Sequence, residues 1–127
     1  MSRLDVEVLG DALPAGQVRR ACVLAAATAG VEDGHVAVTF VTPDEIAALN
    51  ERHRGKAAPT DVLSFPVDGD GPVLGDRELG DVVICPDHTE DLAEAVVHGV
   101  LHLVGMDHET DDGEMLAVQA EVVAWVR

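Results

Sequence analysis

The stretch His98-Gly-Val-Leu-His102-Leu-Val-Gly105-Met-Asp-His108 predicts a helix and also the way in which that helix ends. His98 and His102 stand four residues apart in an apolar segment, so on an α-helix both imidazoles lie on one face. Gly105 can adopt a left-handed backbone conformation and end the helix, after which the chain can bring His108 to the same point. Three imidazoles predict a transition-metal site, and a fourth position open to water is typical of catalytic zinc. Nickel, copper and iron also accept imidazole ligands.

The same spacing matches the HExxHxxGxxH pattern of metzincin proteases at every position but one. Gly99 stands where those proteases carry their general-base glutamate, and a glycine has no side chain to accept a proton. A metalloprotease-like zinc hydrolase therefore stays an alternative, although it would lack its usual base. Asp107 or Glu109, beside the last histidine, could orient an imidazole or assist proton transfer.

Hydrophobic periodicity on both sides of this stretch predicts four strands and four helices. The strands are expected at residues 4–9, 35–41, 61–67 and 79–85, and the helices at residues 14–29, 43–55, 87–105 and 112–126. The order βαβαββαα predicts an α+β fold in which helices cover a small mixed four-stranded sheet. The chain is expected to form one domain over residues 1–127, with the metal site on a helix and the loop after it.

Local signals mark the ends of several of these elements. Thr42, Pro43 and Glu45 form the pattern of a capping box with proline in the first helical turn, and Gly55 marks the end of that helix. Pro66 lacks a backbone N–H, which predicts that its strand bends or lies at an edge of the sheet.

The composition predicts an aliphatic core in a cytoplasmic protein. Hydrophobic residues make up 47% of the chain, yet only two phenylalanines and one tryptophan are present. Cys22 and Cys85 are far apart and show no CxxC spacing, so two reduced core thiols are favoured over a disulfide. Neither a signal peptide nor an apolar segment long enough to span a bilayer is visible, so no membrane partner is expected.

The charge of the chain is strongly acidic, with 24 acidic and 8 basic residues and a formal net charge of −16. Such a field repels phosphate backbones and argues against generic nucleic-acid binding. Three of the basic residues nevertheless fall between positions 52 and 56, namely Arg52, Arg54 and Lys56, the only lysine. We call these three residues the cationic segment, and an anionic substrate is expected to meet the protein there.

Three blocks of sequence resemble the YbeY-type endoribonucleases, a family of ribosomal RNA maturation factors. The family hallmark HGxLHLxGxDH appears at residues 98–108. A segment from Asn50 to Arg54 precedes the block PTDVLSFP at residues 59–66, and LGDVVI stands at residues 79–84. The blocks come in the family's order and cover most of the chain, although the chain looks shortened between Ile84 and His98.

The resemblance implies a zinc-dependent, single-strand-specific endoribonuclease. Such an enzyme would act in maturation of the 3′ end of small-subunit ribosomal RNA and in ribosome quality control. It also implies that His98, His102 and His108 hold one zinc ion and that Arg54, at the family's conserved arginine, is catalytic. A non-catalytic ribosome-assembly factor with a structural metal stays a further alternative. Neither the general base nor the choice between water and the RNA 2′-hydroxyl as nucleophile is predicted.

The expected substrate is single-stranded RNA, in particular ribosomal RNA. Arg54, Lys56 and Ser64 are predicted to bind it, with the Arg54 guanidinium holding a phosphate through paired hydrogen bonds. Because the acidic chain should bind naked RNA weakly, ribosomal proteins or a ribosome-associated GTPase are expected to present the substrate.

Overall fold

Strands and helices alternate over residues 3–54, after which two strands precede the last two helices. The computed structural model describes residues 3–55, 60–67, 78–106 and 113–126, without the side chains of His53 and Arg54. The elements are β1 (Arg3–Leu9), α1 (Ala15–Ala27), β2 (Asp33–Phe40), α2 (Pro43–Arg54), β3 (Val62–Pro66), β4 (Glu78–Ile84), a short 3₁₀ turn (Pro86–His88), α3 (Leu92–Leu103) and α4 (Glu114–Val126). This order confirms the predicted α+β fold. No helix among these residues has the length and apolar character needed to cross a bilayer.

The four strands form one mixed sheet in the order β1-β2-β4-β3. β1 pairs with β2 and β2 with β4 in parallel, whereas β3 runs antiparallel to β4. β3 therefore lies at an edge, as Pro66 predicts, because a proline cannot complete a ladder on both sides. The site-bearing part of the fold is built on the β4–β3 side of this sheet, where α3 packs against both strands.

A bulge in β4 explains the glycine of the LGDVVI block. His35 pairs with Glu78 and Val36 with Gly80, so β4 carries one more residue than β2 at this point. Gly80 has a φ of 132°, and a Cβ at this position would overlap with the carbonyl oxygen of Phe65 on β3. Glycine is therefore needed where the two strands approach each other.

The larger hydrophobic core lies between one face of the sheet and the helices α1, α3 and α4. Its fully buried side chains include valines of β2, β4 and α3: Val36, Val38, Val82, Val96, Val97 and Val100. The prediction of an aliphatic core is confirmed, and the single tryptophan, Trp125, is 64% exposed.

On the other face of the sheet, α2 covers a smaller cluster formed by Ile46, Leu63, Val83 and Cys85. The predicted start of α2 is confirmed, because the Thr42 hydroxyl accepts from the Glu45 N–H at 3.2 Å while the Glu45 carboxylate accepts from the Thr42 N–H at 3.1 Å. Its predicted end is confirmed by Gly55, which has a φ of 72°.

Helix α3 begins later than its acidic N-terminal segment suggests. A helix from residue 87 is wrong, since Pro86–His88 form a separate 3₁₀ turn and α3 starts at Leu92. Asp91 sets this start: its backbone is extended, and its carboxylate accepts from the Glu94 N–H at 3.1 Å. Asp87 and Asp91 both suit a helix N-terminus, and only the observed cap shows which of them begins the helix.

The two cysteines lie in different clusters of the core. Cys22 on α1 and Cys85 after β4 are both buried free thiols, as predicted. Burial raises the pKa of the Cys22 thiol to about 12, so this group stays protonated at neutral pH.

Candidate metal centre

His98 and His102 lie side by side on α3, one helical turn apart, as the sequence predicts. Both side chains are half-buried, whereas the neighbouring Val97 and Leu101 are fully buried in the core. The two rings meet edge to face, with centroids 4.6 Å apart and planes inclined by 76°. Their Nε2 atoms are 3.1 Å apart, so both rings direct the same nitrogen at one point.

This arrangement fits a shared metal ion. Zinc–nitrogen bonds are about 2.0–2.1 Å long, and two such ligands in a tetrahedron stand about 3.3 Å apart. The Nε2 atoms of His98 and His102 already have nearly this separation. Two imidazoles that converge through Nε2 are therefore a suitable part of a zinc, nickel or copper site.

The predicted third ligand, His108, lies outside the described residues, and so do Asp107 and Glu109. Within the described part of the chain, no group of three or more His, Cys, Asp or Glu residues could hold a metal. The predicted helix end is present: Gly105 has a φ of 100°, and the Met106 N–H donates to the Leu101 carbonyl oxygen at 3.0 Å. The three-histidine site therefore stays a prediction, although two of its members, His98 and His102, lie together in the structure.

Gly99 lies where α3 touches the sheet. A Cβ at this position would be 3.0 Å from Val82 Cγ2, closer still to Val82 Cγ1, and 3.3 Å from Ser64 Oγ. Any larger residue would force α3 away from β4. The position that carries the general base in metzincin proteases is thus a packing contact here, which weighs further against that alternative.

Ser64 fastens β3 to the same part of α3. Its half-buried hydroxyl donates to the Gly99 carbonyl oxygen at 3.1 Å, so the serine connects the strand to the turn of helix that carries the histidines. The oxygen keeps lone pairs that can accept a hydrogen bond. A contact between Ser64 and substrate stays a prediction.

Of the cationic segment, Arg52 is exposed on α2 and Arg54 is the last residue of this helix. The side chain of Arg54 and all of Lys56 lie outside the described residues. The catalytic role of Arg54 and the substrate contacts of Arg54 and Lys56 therefore stay predictions.

Gln119 on α4 is a member of the centre that the sequence did not predict. Its Oε1 lies 2.7 Å from Nδ1 of His98, on the side of the ring opposite to Nε2. A signal existed in the sequence, because residues 115, 119, 122 and 126 follow helical spacing, and the other three are buried apolar residues of α4. A glutamine in an otherwise apolar stripe indicates a hydrogen-bond partner inside the fold.

A second histidine site lies on the opposite face of the sheet, where His35 precedes the buried Val36 on β2. Its Nδ1 is 2.8 Å from Glu78 Oε2, and its Nε2 is 3.6 Å from Glu7 Oε2. The hydrogen bond with Glu78 raises the pKa of His35, and the charges of Glu78, Asp5 and Glu7 act in the same direction. This group is separate from the pair on α3.

Comparison with known proteins identifies the family that carries this arrangement. The sequence model of the endoribonuclease YbeY family matches residues 15–126. The chain belongs to the YbeY endoribonuclease family. This family consists of RNA-cleaving hydrolases, and the resemblance seen in the three sequence blocks is thereby confirmed.

Individual YbeY relatives are similar over most of their length. The endoribonuclease YbeY of Rubrobacter xylanophilus is 50% identical over 97 residues, which cover 74% of this chain and 69% of the relative. That of Bacillus subtilis is 36% identical over 129 residues, covering 84% and 82%. A Thermotoga maritima protein of known solution structure has a TM-score of 0.59 and 28% identity, covering 95% of this chain and 88% of its own.

Proposed function

We propose that this protein is a zinc-dependent endoribonuclease that cuts single-stranded RNA. The observation that carries the proposal is the convergence of His98 and His102 through Nε2 atoms 3.1 Å apart, in a chain of the YbeY family. His98, His102 and His108 would hold the ion. When bound, zinc supplies a Lewis acid that polarises a phosphoryl oxygen of the RNA.

The chain's own residues supply position and charge around that oxygen. The Gly99 contact and the Ser64 hydrogen bond hold the histidine-bearing turn of α3 against the sheet. Arg54, at the end of α2, is proposed to bind the phosphate and to offset the negative charge that grows in the transition state. Lys56 and Ser64 are also proposed to contact the RNA.

The proposed substrate is ribosomal RNA in the cytoplasm, where the enzyme would act in 3′-end maturation of the small-subunit RNA and in ribosome quality control. Free buried thiols at Cys22 and Cys85 suit a reducing compartment. With a net charge of −16, the protein needs RNA to arrive at the cationic segment. A ribosomal protein or a ribosome-associated GTPase is the proposed means of presenting it.

The deciding experiment measures two quantities in protein purified without a histidine tag. They are the rate of cleavage of a labelled single-stranded RNA and the amount of zinc bound to the protein. His102→Ala should lose zinc and cleavage, whereas His88→Ala, which removes an exposed histidine before α3, should keep both. Arg54→Ala should keep zinc but cut about 10²–10³-fold more slowly, by analogy with removal of one transition-state donor. Arg19→Ala, an exposed arginine on α1, serves as its control.

Three results would change the proposal. Cleavage that survives both His102→Ala and Arg54→Ala would show that the site is assigned to the wrong residues. If His102→Ala and Arg54→Ala are both folded and still support ribosome maturation, a non-catalytic assembly factor is favoured. Cleavage of casein that a chelator abolishes would favour a protease. Analysis of the RNA ends identifies the nucleophile, because attack by the 2′-hydroxyl leaves a cyclic phosphate and attack by water does not.

A further inference from the structure

We infer that Gln119 is a positioning residue of the metal centre, which holds the His98 ring in the tautomer that can bind a metal through Nε2. The inference rests on the proposed function, since it assigns a role toward the proposed ion. Gln119 Oε1 on α4 lies 2.7 Å from His98 Nδ1 on α3.

The chemistry of this contact determines where the imidazole proton is. An amide oxygen only accepts hydrogen bonds, so His98 Nδ1 must carry the hydrogen and donate it. In a neutral imidazole, the other nitrogen then has the free lone pair. That nitrogen is His98 Nε2, the atom that faces His102 Nε2 at 3.1 Å.

The contact also restricts the orientation of the ring. His98 is held at Nδ1 by α4, while its Nε2 faces His102 on its own helix. A ring flip would exchange Nδ1 with a carbon and break the bond to Gln119. Before any metal binds, His98 therefore already has the orientation and proton position that binding requires, so less ordering is needed when a metal arrives.

The position of Gln119 in α4 argues against a role that is limited to packing in the core. Met115 and Val122, one turn away on either side, are buried in the core. Gln119 is itself half-buried, and a polar group partly shielded from water is less favourable there unless it is hydrogen-bonded. The Gln119 side-chain oxygen accepts a hydrogen bond from His98, as expected of a residue that orients a metal ligand.

The test measures zinc affinity of the metal-free full chain by competition with a chromophoric chelator. Gln119→Leu keeps the bulk but removes the acceptor and should weaken zinc binding about 10–100-fold, the usual effect of removing a group that orients a metal ligand. Gln119→Glu retains an acceptor oxygen and should bind zinc at least as tightly as the unmodified protein. Glu121→Gln, an exposed change on the same helix, should leave the affinity unchanged.

A second measurement needs no metal. Nitrogen NMR of the His98 side chain in the metal-free protein should show a proton on Nδ1 in the unmodified protein and in Gln119→Glu, and a mixture of tautomers in Gln119→Leu. Equal zinc affinities for Gln119→Leu and the unmodified protein, or an unchanged tautomer, would overturn the inference. Failure of the unmodified protein to bind zinc, with the tautomer shift still present, would instead overturn the proposed metal centre and with it the metal-orienting role of Gln119.

Discussion

The contact between Gly99 and the sheet predicts an unusual response to a small substitution. Gly99→Ala adds one methyl group inside a helix, which by itself favours folding by about 1 kcal/mol. Here the new carbon would lie 3.0 Å from Val82 Cγ2 and closer still to Cγ1. Val82 is fully buried on β4, between β2 and β3, and cannot move aside freely.

Overpacking of this kind typically costs about 1–3 kcal/mol. Subtracting the gain in helix propensity, we expect Gly99→Ala to lower the free energy of unfolding by up to about 2 kcal/mol. The sign should reverse when Val82 is first changed to Ala, because the added methyl group then occupies space that the valine has left. The two changes are thus strongly coupled, as contacting residues usually are.

The assay is urea unfolding followed by far-UV circular dichroism, with a chelator present so that metal binding does not contribute. Gly16→Ala is the control, since Gly16 lies on α1 with no atom near its would-be Cβ, and it should stabilise the protein by up to about 1 kcal/mol. If Gly99→Ala stabilised the protein like the control, or if its effect were the same with and without Val82→Ala, the close packing of α3 on β4 would be refuted.

Two further predictions concern stability elsewhere in the fold. The raised pKa of His35 means that its protonated form stabilises the folded state. This contribution is complete below the ordinary pKa of 6.5 and is lost as the pH rises through the raised value. Both His35→Gln and Glu78→Gln should therefore flatten the dependence of the free energy of unfolding on pH. An unchanged pH profile in either variant would contradict the pairing. Thr42→Ala removes the acceptor for the Glu45 N–H and should destabilise the protein by about 1 kcal/mol, whereas Thr42→Ser should not; equal unfolding midpoints for the two variants would show that the cap contributes little.

Features with a local cause are the ones that the sequence predicted closely. The capping box at Thr42 and Glu45 involves residues three positions apart, and the helix end at Gly55 depends on one backbone conformation. The pairing of His98 with His102 likewise follows from helical geometry alone. The edge position of β3 could be predicted because Pro66 lacks a hydrogen-bond donor.

Features that depend on distant parts of the chain were missed or misread. Gln119 contacts His98 across 21 positions of sequence, through the packing of two helices that no local pattern describes. The sequence shows Gly99 only as a missing general base, whereas its contact with Val82 on β4 gives the glycine a structural reason. The sequence predicts too early a start for α3, because more than one acidic residue suits its N-terminus and only the observed cap identifies Asp91.

The strand order has a consequence for the kinetics of folding. Parallel pairs such as β1–β2 and β2–β4 need a crossover connection, so they form only after a long loop has been closed. The antiparallel pair β3–β4 joins segments that follow each other in the chain, and α3 comes next and packs on both. The histidine-bearing helix α3 thus packs on the pair of strands whose paired residues are closest in sequence. This part of the fold can assemble before the slower parallel pairing is complete.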